Sequence, residues 1–182
     1  MAGKRSAISD FDVFVKAQQT GPEDAANWAH DLEEWLRCLD ELYKRISSYL
    51  SRYIKSGEIK QTFREVMLNE ENIGSYAARQ MILRIGRQEV TLTPVGTMLV
   101  GMKGRVDVVG SAGETRFVLV NSEAYGIRVA WGNPRRPGAS TPEAPPKETK
   151  WAWKIETRPP AIRYVELTPQ SLFDVLIEVS NG

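Results

Sequence analysis

The chain has 182 residues, 42% of them hydrophobic and 26% charged, which is the composition of a folded protein and excludes an intrinsically disordered one. A formal net charge of +1 gives no overall attraction to a polyanion. The charge is unevenly distributed, however, because residues 75–182 carry fourteen Lys and Arg against ten Asp and Glu and therefore hold a net +4.

Residues 1–21 contain charged side chains, among them Asp10, Asp12 and Lys16, that interrupt any apolar run of the length required by a signal peptide. No later window approaches the roughly 20 apolar residues needed to cross a bilayer. The single cysteine, Cys38, excludes an intrachain disulfide and fits a reducing compartment. We therefore expect a cytoplasmic protein without a membrane segment.

The clearest predicted element is a long amphipathic helix over residues 22–56. Pro22 suits a first helical turn, while Lys55 and Gly57 are typical of a helix end. At 1.5 Å per residue such a helix is about 50 Å long, which exceeds the diameter expected of a compact domain of this size. Apolar residues recur along it at alternating steps of four and three and form a seam: Trp28, Leu32, Trp35, Leu39, Leu42, Ile46, Tyr49 and Tyr53.

This apolar seam has three interpretations. It can pack on the protein's own sheet or on the following helix, it can mediate self-association, or it can receive a helix of a partner protein. The last two interpretations predict a helix interaction face that consists of Trp28, Leu32, Trp35, Leu39, Leu42, Ile46 and Tyr49.

A shorter helix is predicted over residues 59–72. Four apolar residues recur there at helical spacing and a glycine follows them: Ile59, Phe63, Val66, Met67 and Gly74. The two helices would form a helical hairpin. Residues 1–74 are therefore assigned to a helical arm.

Residues 75–182 are predicted to form an antiparallel sheet of six or seven strands followed by a C-terminal helix. The apolar period becomes two from residue 78 onward, and glycines and prolines separate the short segments. The last helix begins near Pro169 and is expected to pack on the sheet. Residues 132–150 hold five of the ten prolines and are predicted to be a long loop. The predicted fold class is α+β.

The segment GRVDVVG and the apolar strand after it resemble the core hairpin of the PD-(D/E)xK nuclease superfamily, over 19 residues. That family holds its catalytic metal on an Asp and on an acidic-x-Lys triplet in the next strand, which would make Asp107 a ligand. The segment Phe117–Val120 and Asn121 occupy the positions of the triplet, however. We therefore predict no nuclease activity and interpret Asp107 as a solvent-face carboxylate that pairs across the ladder with Arg116.

Other catalytic, cofactor and metal motifs are absent from the sequence. His30 has only Glu34 at the i+4 position, and Cys38 has no His or Lys placed to activate it. Walker A, dinucleotide-binding and nucleophile-elbow sequences are missing as well. We expect a protein that is not an enzyme and has no cofactor. A catalytic site assembled only in three dimensions is the least favoured alternative.

Two binding functions remain. The first is a protein-interaction or assembly protein, such as an adaptor, inhibitor or complex subunit, that uses the long helix and a sheet face for a protein partner or for self-association. The second is nucleic-acid binding by the basic β-rich half, where basic side chains are interleaved with tryptophans. The candidate nucleic-acid contacts are Arg84, Arg87, Lys103, Arg105, Arg128, Arg135, Arg136 and Lys154.

Overall fold

A computed structural model of the chain describes residues 22–70, 73–97, 102–122, 150–157 and 162–181. Within these residues three helices and seven strands form a mixed α+β structure, as predicted. The helices are α1 (Pro22–Tyr49), α2 (Ser51–Lys55) and α3 (Pro169–Asn181). The strands are β1 (Ile59–Glu70), β2 (Gly74–Ile85), β3 (Gln88–Gly96), β4 (Gly104–Val109), β5 (Glu114–Asn121), β6 (Trp151–Glu156) and β7 (Tyr164–Glu166).

The long helix predicted over residues 22–56 is present as α1 followed directly by α2. Main-chain hydrogen bonds continue across the junction, from the Leu50 amide to the Ile46 carbonyl and from the Ile54 amide to the Leu50 carbonyl, both at 3.0 Å. The helix ends before Gly57, whose φ of 81° lies in the left-handed region that glycine adopts at little steric cost. The predicted helix is therefore confirmed.

The shorter helix predicted over residues 59–72 is wrong, because this segment forms strand β1. β1 pairs with β2 along its whole length, from Ile59 opposite Ile85 to Glu70 opposite Gly74. A few apolar residues at helical spacing are a weak determinant, and pairing along an entire hairpin outweighs them. The predicted helical hairpin is therefore a helix followed by a strand of the sheet.

The strands form a seven-stranded antiparallel sheet in which the strand order follows the chain, so that β1 and β7 are its edges among the described residues. The predicted hairpin around Asp107 is confirmed, since β4 pairs with β5 and places Asp107 directly opposite Arg116. A strand predicted over residues 125–132 lies outside the described residues. The predicted loop over residues 132–150 does so too, except for its last residue.

The hairpin of β1 and β2 extends beyond the rest of the sheet. β2 pairs with β1 from Gly74 onward, but it pairs with β3 only from Met81 to Ile85. A two-stranded ribbon twists more strongly than a wide sheet. The buried positions of β2 change from even-numbered residues such as Tyr76 to odd-numbered ones such as Leu83. The two halves of the hairpin therefore turn different faces to the core.

α1 and α3 share a hydrophobic core with the sheet. The rings of Trp35 on α1 and Trp153 on β6 have their centroids 6.0 Å apart. The Trp153 indole also donates a hydrogen bond to the Cys38 carbonyl at 3.0 Å. The C-terminal helix packs on the sheet as predicted, with fully buried side chains. Side chains from the described residues before position 74 thus pack in one core against side chains from those after it.

Candidate interaction surface

The middle of the helix interaction face predicted on α1 is buried within the chain. Trp35, Leu42 and Ile46 expose none of their surface, and Leu39 exposes 2%. Such side chains become available to a second molecule only after local unfolding. The structure agrees instead with the interpretation in which the seam packs on the protein's own sheet.

The two ends of the seam are less deeply buried. Trp28 and Leu32 lie near the start of α1 with intermediate exposure, and so does Tyr49 near its end. The Tyr49 hydroxyl donates a long hydrogen bond to the Leu167 carbonyl at 3.4 Å, which ties it to the C-terminal part of the chain. Trp28 and Leu32 are therefore partly exposed, whereas most of the seam belongs to the core.

The predicted basic sheet face is largely paired with carboxylates. Arg84 lies 3.1 Å from Glu89 across the β2-β3 turn, and Lys154 lies 2.8 Å from Glu166 between β6 and β7. The hydrogen bond and the charge of Lys154 lower the pKa of the Glu166 carboxyl below its ordinary value. A phosphate would have to displace these carboxylates, which weakens the case for nucleic-acid contacts at Arg84 and Lys154.

The predicted ion pair between Asp107 and Arg116 is not formed, and Asp107 pairs with Arg105 instead. The Arg105 Nε lies 2.9 Å from the Asp107 Oδ1 within β4, while Arg116 lies 3.2 Å from Glu156 on β6. Arg116 has one carboxylate opposite it on each neighbouring strand, and it pairs with the one on β6. The described residues contain no group of three or more His, Cys, Asp or Glu side chains that could hold a metal ion. An ion pair therefore accounts for Asp107.

Lys103 is bound to the first half of the long helix. Its ammonium group contacts Asp31, lies 2.8 Å from the Glu34 Oε2 and lies 5.5 Å from the centre of the Trp151 ring. Burial alone would lower the pKa of Lys103, but its hydrogen bonds to the two carboxylates outweigh this effect and raise the pKa above its ordinary value. Lys103 therefore connects α1 to the sheet and is not a free cation.

Of the remaining candidate nucleic-acid contacts, Arg87 is exposed in the β2-β3 turn and forms no ion pair with another described residue. Arg128, Arg135 and Arg136 lie outside the described residues. Within the described part of the chain, four of the predicted contacts thus form separate ion pairs, namely Arg84, Lys103, Arg105 and Lys154.

The outer edge of β1 is a surface that the sequence analysis missed. β1 is twelve residues long, and no strand among the described residues pairs with its outer side. Such a strand presents main-chain N–H and C=O groups to which another extended segment can bind. Phe63 and Met67 expose 42% and 65% of their surface there. We define the β1 edge surface as the outer main chain of β1 together with Lys60, Phe63, Arg64 and Met67.

One side of β1 faces α1. The Phe63 ring lies 5.6 Å from the Tyr43 ring, and the Arg79 guanidinium lies 5.0 Å from the centre of the Phe63 ring. Arg79 also forms an ion pair with Asp40 on α1. A cleft of about 540 Å³ lies between α1 and the β1-β2 hairpin, with Leu36, Asp40 and Arg79 in its lining. This side of β1 therefore offers apolar contacts next to a recess.

The opposite side of β1 is basic in its first half. Lys60 lies directly opposite Arg84, and Arg64 lies opposite Gln80. Arg84 has Glu89 as its partner, whereas Arg64 donates to the neutral Gln80 Oε1 at 2.7 and 3.1 Å. Lys60 forms no ion pair within the described structure. Like charges opposed across a ladder are unfavourable, so an added anionic group would stabilise this side of β1.

A buried carboxylate fixes the far end of β1. Glu70 is 8% exposed and accepts hydrogen bonds from the Tyr76 hydroxyl and from the amide and hydroxyl of Thr97, the last two at 3.1 and 2.7 Å. Burial and the hydrogen bond to Glu70 raise the pKa of the Tyr76 hydroxyl. A Cβ at Gly96 would lie 2.8 Å from the Glu70 carboxylate, so glycine permits this close approach. The far end of β1 is thereby tied to the segment after β3.

No protein-family model, curated protein or solved structure matches this chain. Within the described residues, no helix is both long enough and apolar enough to cross a membrane. The function must therefore be inferred from the geometry of the described residues, among which the β1 edge surface is a long open edge with a recognisable mode of binding.

Proposed function

We propose that the protein is a non-enzymatic protein-interaction or assembly protein and that it binds its partner along the β1 edge surface. The observation that carries this proposal is a twelve-residue strand edge with two exposed apolar side chains on one side, Phe63 and Met67. Addition of a strand would satisfy the outer main-chain groups of β1 and cover both side chains at once.

The proposed surface differs from the one predicted from sequence. The seam of α1 is largely buried, so self-association through it is not supported. The proposed class of function is unchanged, because an adaptor, inhibitor or complex subunit can equally use a strand edge. We also propose a cytoplasmic location, which the unpaired and buried Cys38 supports.

A comparison of three tagged proteins tests this proposal: the wild type, Met67→Lys and the control Ile177→Lys. Ile177 is 61% exposed on α3, so it matches Met67 in exposure but lies on another element. A partner captured by the wild type is purified and its affinity for each protein is measured by calorimetry. We expect Met67→Lys to bind at least about tenfold more weakly, since full burial of a methionine contributes about 1.5–3 kcal/mol.

The control Ile177→Lys should bind the purified partner as the wild type does. If the partner binds all three proteins equally, or if the wild type captures nothing that survives purification and calorimetry, the proposed use of the β1 edge is refuted. Thermal melts of the three proteins establish that each is folded before binding is measured.

Nucleic-acid binding is the second candidate. It is favoured by Lys60, Arg64 and Arg87, which have no carboxylate partner among the described residues. Fluorescence anisotropy with labelled single- and double-stranded DNA and RNA at two salt concentrations tests it, because phosphate contacts weaken steeply with salt. Salt-sensitive binding that Lys60→Glu reduces would support this candidate, and no binding at low salt would remove it. A catalytic site that forms only in three dimensions is a third and least supported candidate.

A further inference from the structure

We infer that the β1 edge surface takes an extended segment of a partner protein that has acidic residues on one side and apolar residues on the other. The inference rests on the proposed function and specifies the chemistry of the partner. It follows from the different polarity of the two sides of β1, which carry Lys60 and Arg64 on one side and Phe63 and Met67 on the other.

Successive side chains of a strand point to opposite sides of the sheet. A strand that pairs with the outer edge of β1 would extend the sheet, so its own side chains would lie beside those of β1 on both sides. Even-numbered positions of β1 would set the preferences of one side of the added strand, and odd-numbered positions would set those of the other.

The even-numbered side favours carboxylates. Lys60, Arg64 and the neighbouring Arg84 are three cations, and within the described structure Glu89 is their carboxylate partner, through Arg84. An added Asp or Glu beside Lys60 or Arg64 gains an ion pair without displacing an existing one. Exposed pairs of this kind change affinity by about two- to fivefold each, so the contribution is to specificity more than to affinity.

The odd-numbered side favours apolar residues beside Phe63 and Met67, which flank the exposed Glu65. Phe63 is supported by the Tyr43 ring and by the Arg79 guanidinium, so it is held in place before a partner arrives. Met67 is 65% exposed and lies opposite Ala77, whose small side chain leaves it uncovered on that flank. Apolar side chains of an added strand would cover both residues and remove them from water.

These positions define a sequence pattern for the partner. In an antiparallel segment, the residues beside Met67, Arg64, Phe63 and Lys60 follow in that order, at relative positions 1, 4, 5 and 8. The segment would therefore read apolar, any, any, acidic, apolar, any, any, acidic. A parallel segment would read acidic, any, any, apolar, acidic, any, any, apolar.

A second copy of the chain fits this surface poorly. Two-fold antiparallel pairing of β1 with itself brings the same side of both strands together. That side carries Lys60, Thr62, Arg64, Val66 and Leu68, and its one carboxylate, Glu70, is buried. The basic side of one copy would thus meet no exposed acid from the other. A monomer by light scattering is the expected result, and a dimer that Met67→Lys disrupts would overturn the inference.

Synthetic peptides test the pattern directly. Two fluorescein-labelled eight-residue peptides carry it in the two directions, with Phe at apolar positions, Asp at acidic positions and Thr elsewhere. Two control peptides carry Lys in place of Asp. We expect one of the acidic peptides to bind the full chain at least about tenfold more tightly than its Lys counterpart in fluorescence anisotropy at low salt.

Variants of the protein locate the site. The double variant Lys60→Glu with Arg64→Glu should lose the acidic peptide at least about tenfold and should bind the Lys peptide more tightly than the wild type does. The control Arg163→Glu removes an exposed cation next to the opposite edge strand, β7, and should leave both affinities unchanged. If the double variant fails to fold by circular dichroism, Lys60→Gln with Arg64→Gln replaces it with the same direction of effect.

The outcomes separate this inference from the proposed function. Equal binding of acidic and Lys peptides, or binding of neither, overturns the inference. So does single-stranded DNA that binds more tightly than the acidic peptide at the same salt concentration, which would favour the nucleic-acid candidate. A natural partner that is lost with Met67→Lys but unaffected by Lys60→Glu and Arg64→Glu would leave the proposed function standing while it refutes the acidic pattern.

Discussion

α1 lies close against the sheet at Gly104, the first residue of β4. A Cβ at this position would lie 2.1 Å from the Trp35 Cζ3 and 2.5 Å from its Cε3. Trp35 is fully buried and packs on Trp153, so the ring has little room to retreat. Gly104 does not have a positive φ, so its backbone accepts an alanine. The Gly104→Ala variant therefore isolates the steric cost of one added methyl group.

The magnitude follows from the displacement that the methyl group requires. The Trp35 ring must move by at least 1.3 Å, the difference between 2.1 Å and the 3.4 Å at which ordinary van der Waals contact begins. Overpacking of a core costs about 1–3 kcal/mol and occasionally more, and a fully buried indole places this variant at the upper end. We expect the free energy of unfolding to fall by about 3 kcal/mol. At about 2–4 °C per kcal/mol, Tm falls by about 6–12 °C.

Urea unfolding followed by far-UV circular dichroism measures this loss. The matched experiment introduces Gly104→Ala into a Trp35→Leu background, where the obstructing ring is absent and the added methyl group should cost less than about 1 kcal/mol. A loss below about 0.5 kcal/mol in the wild-type background, or the same loss in both backgrounds, would refute the reasoning that contact with Trp35 requires a glycine.

Three further predictions concern buried polar groups. Lys103→Met leaves the Asp31 and Glu34 carboxylates without their cation and should lower the free energy of unfolding, measured in urea, by about 1–2 kcal/mol. The folded pKa of Lys103 is raised above 10.5. The stabilisation that protonated Lys103 provides is therefore complete below pH 10.5 and is lost as the pH rises through the folded pKa, so the unfolding free energies of variant and wild type should converge at high pH. A difference in unfolding free energy that stays constant with pH would contradict this. Tyr76→Phe removes a hydrogen-bond donor to Glu70 and should lower the free energy of unfolding by about 1–2 kcal/mol. This loss should be smaller in a Glu70→Ala background, and equal losses in the two backgrounds would exclude an energetic coupling between Tyr76 and Glu70. Burial raises the pKa of the Cys38 thiol, which is 4% exposed, so Ellman's reagent should modify it at least about 100-fold more slowly in native protein than in urea, and equal rates would disprove its protection.

The elements that the sequence predicts correctly are those with local determinants. Pro22 begins the long helix and Gly57 follows its end, because each residue has a backbone preference that acts without the rest of the fold. The β4-β5 hairpin is likewise predicted, since period-two alternation and nearby glycines act over a few residues. The packing of α3 on the sheet follows from its apolar face.

β1 was not predictable in this way, because its conformation depends on a partner strand. Phe63 and Met67 matched a helical spacing, yet both are exposed in the structure and so belong to no buried helical face. Their segment is a strand because β2 pairs with it at every position. The interaction surface was missed for the same reason, since an edge is a property of strand order and not of the residues that form the strand.

The ion pairs show a second limit of prediction from sequence, which is the choice of partner. Arg116 lies opposite Asp107 on β4 and opposite Glu156 on β6, so the register offers it two carboxylates. Because Arg116 pairs with Glu156, Asp107 pairs with Arg105. Sequence patterns identify the residues that share a face, but the choice among neighbours depends on side-chain geometry that arises only when the sheet is complete.

The charges on β1 act in two opposite ways. A strand edge that no other described strand covers, with exposed Phe63 and Met67, is a hazard, because identical chains could pair through it. Lys60 and Arg64 reduce that hazard, since pairing of two copies would bring their basic sides together without an exposed acid on either. The same cations favour a segment with carboxylates at the matching positions. Discrimination between partner and copy is therefore a difference between attraction and repulsion at the same two residues, and neutralisation of both charges, as in Lys60→Gln with Arg64→Gln, should weaken the attraction and the repulsion together.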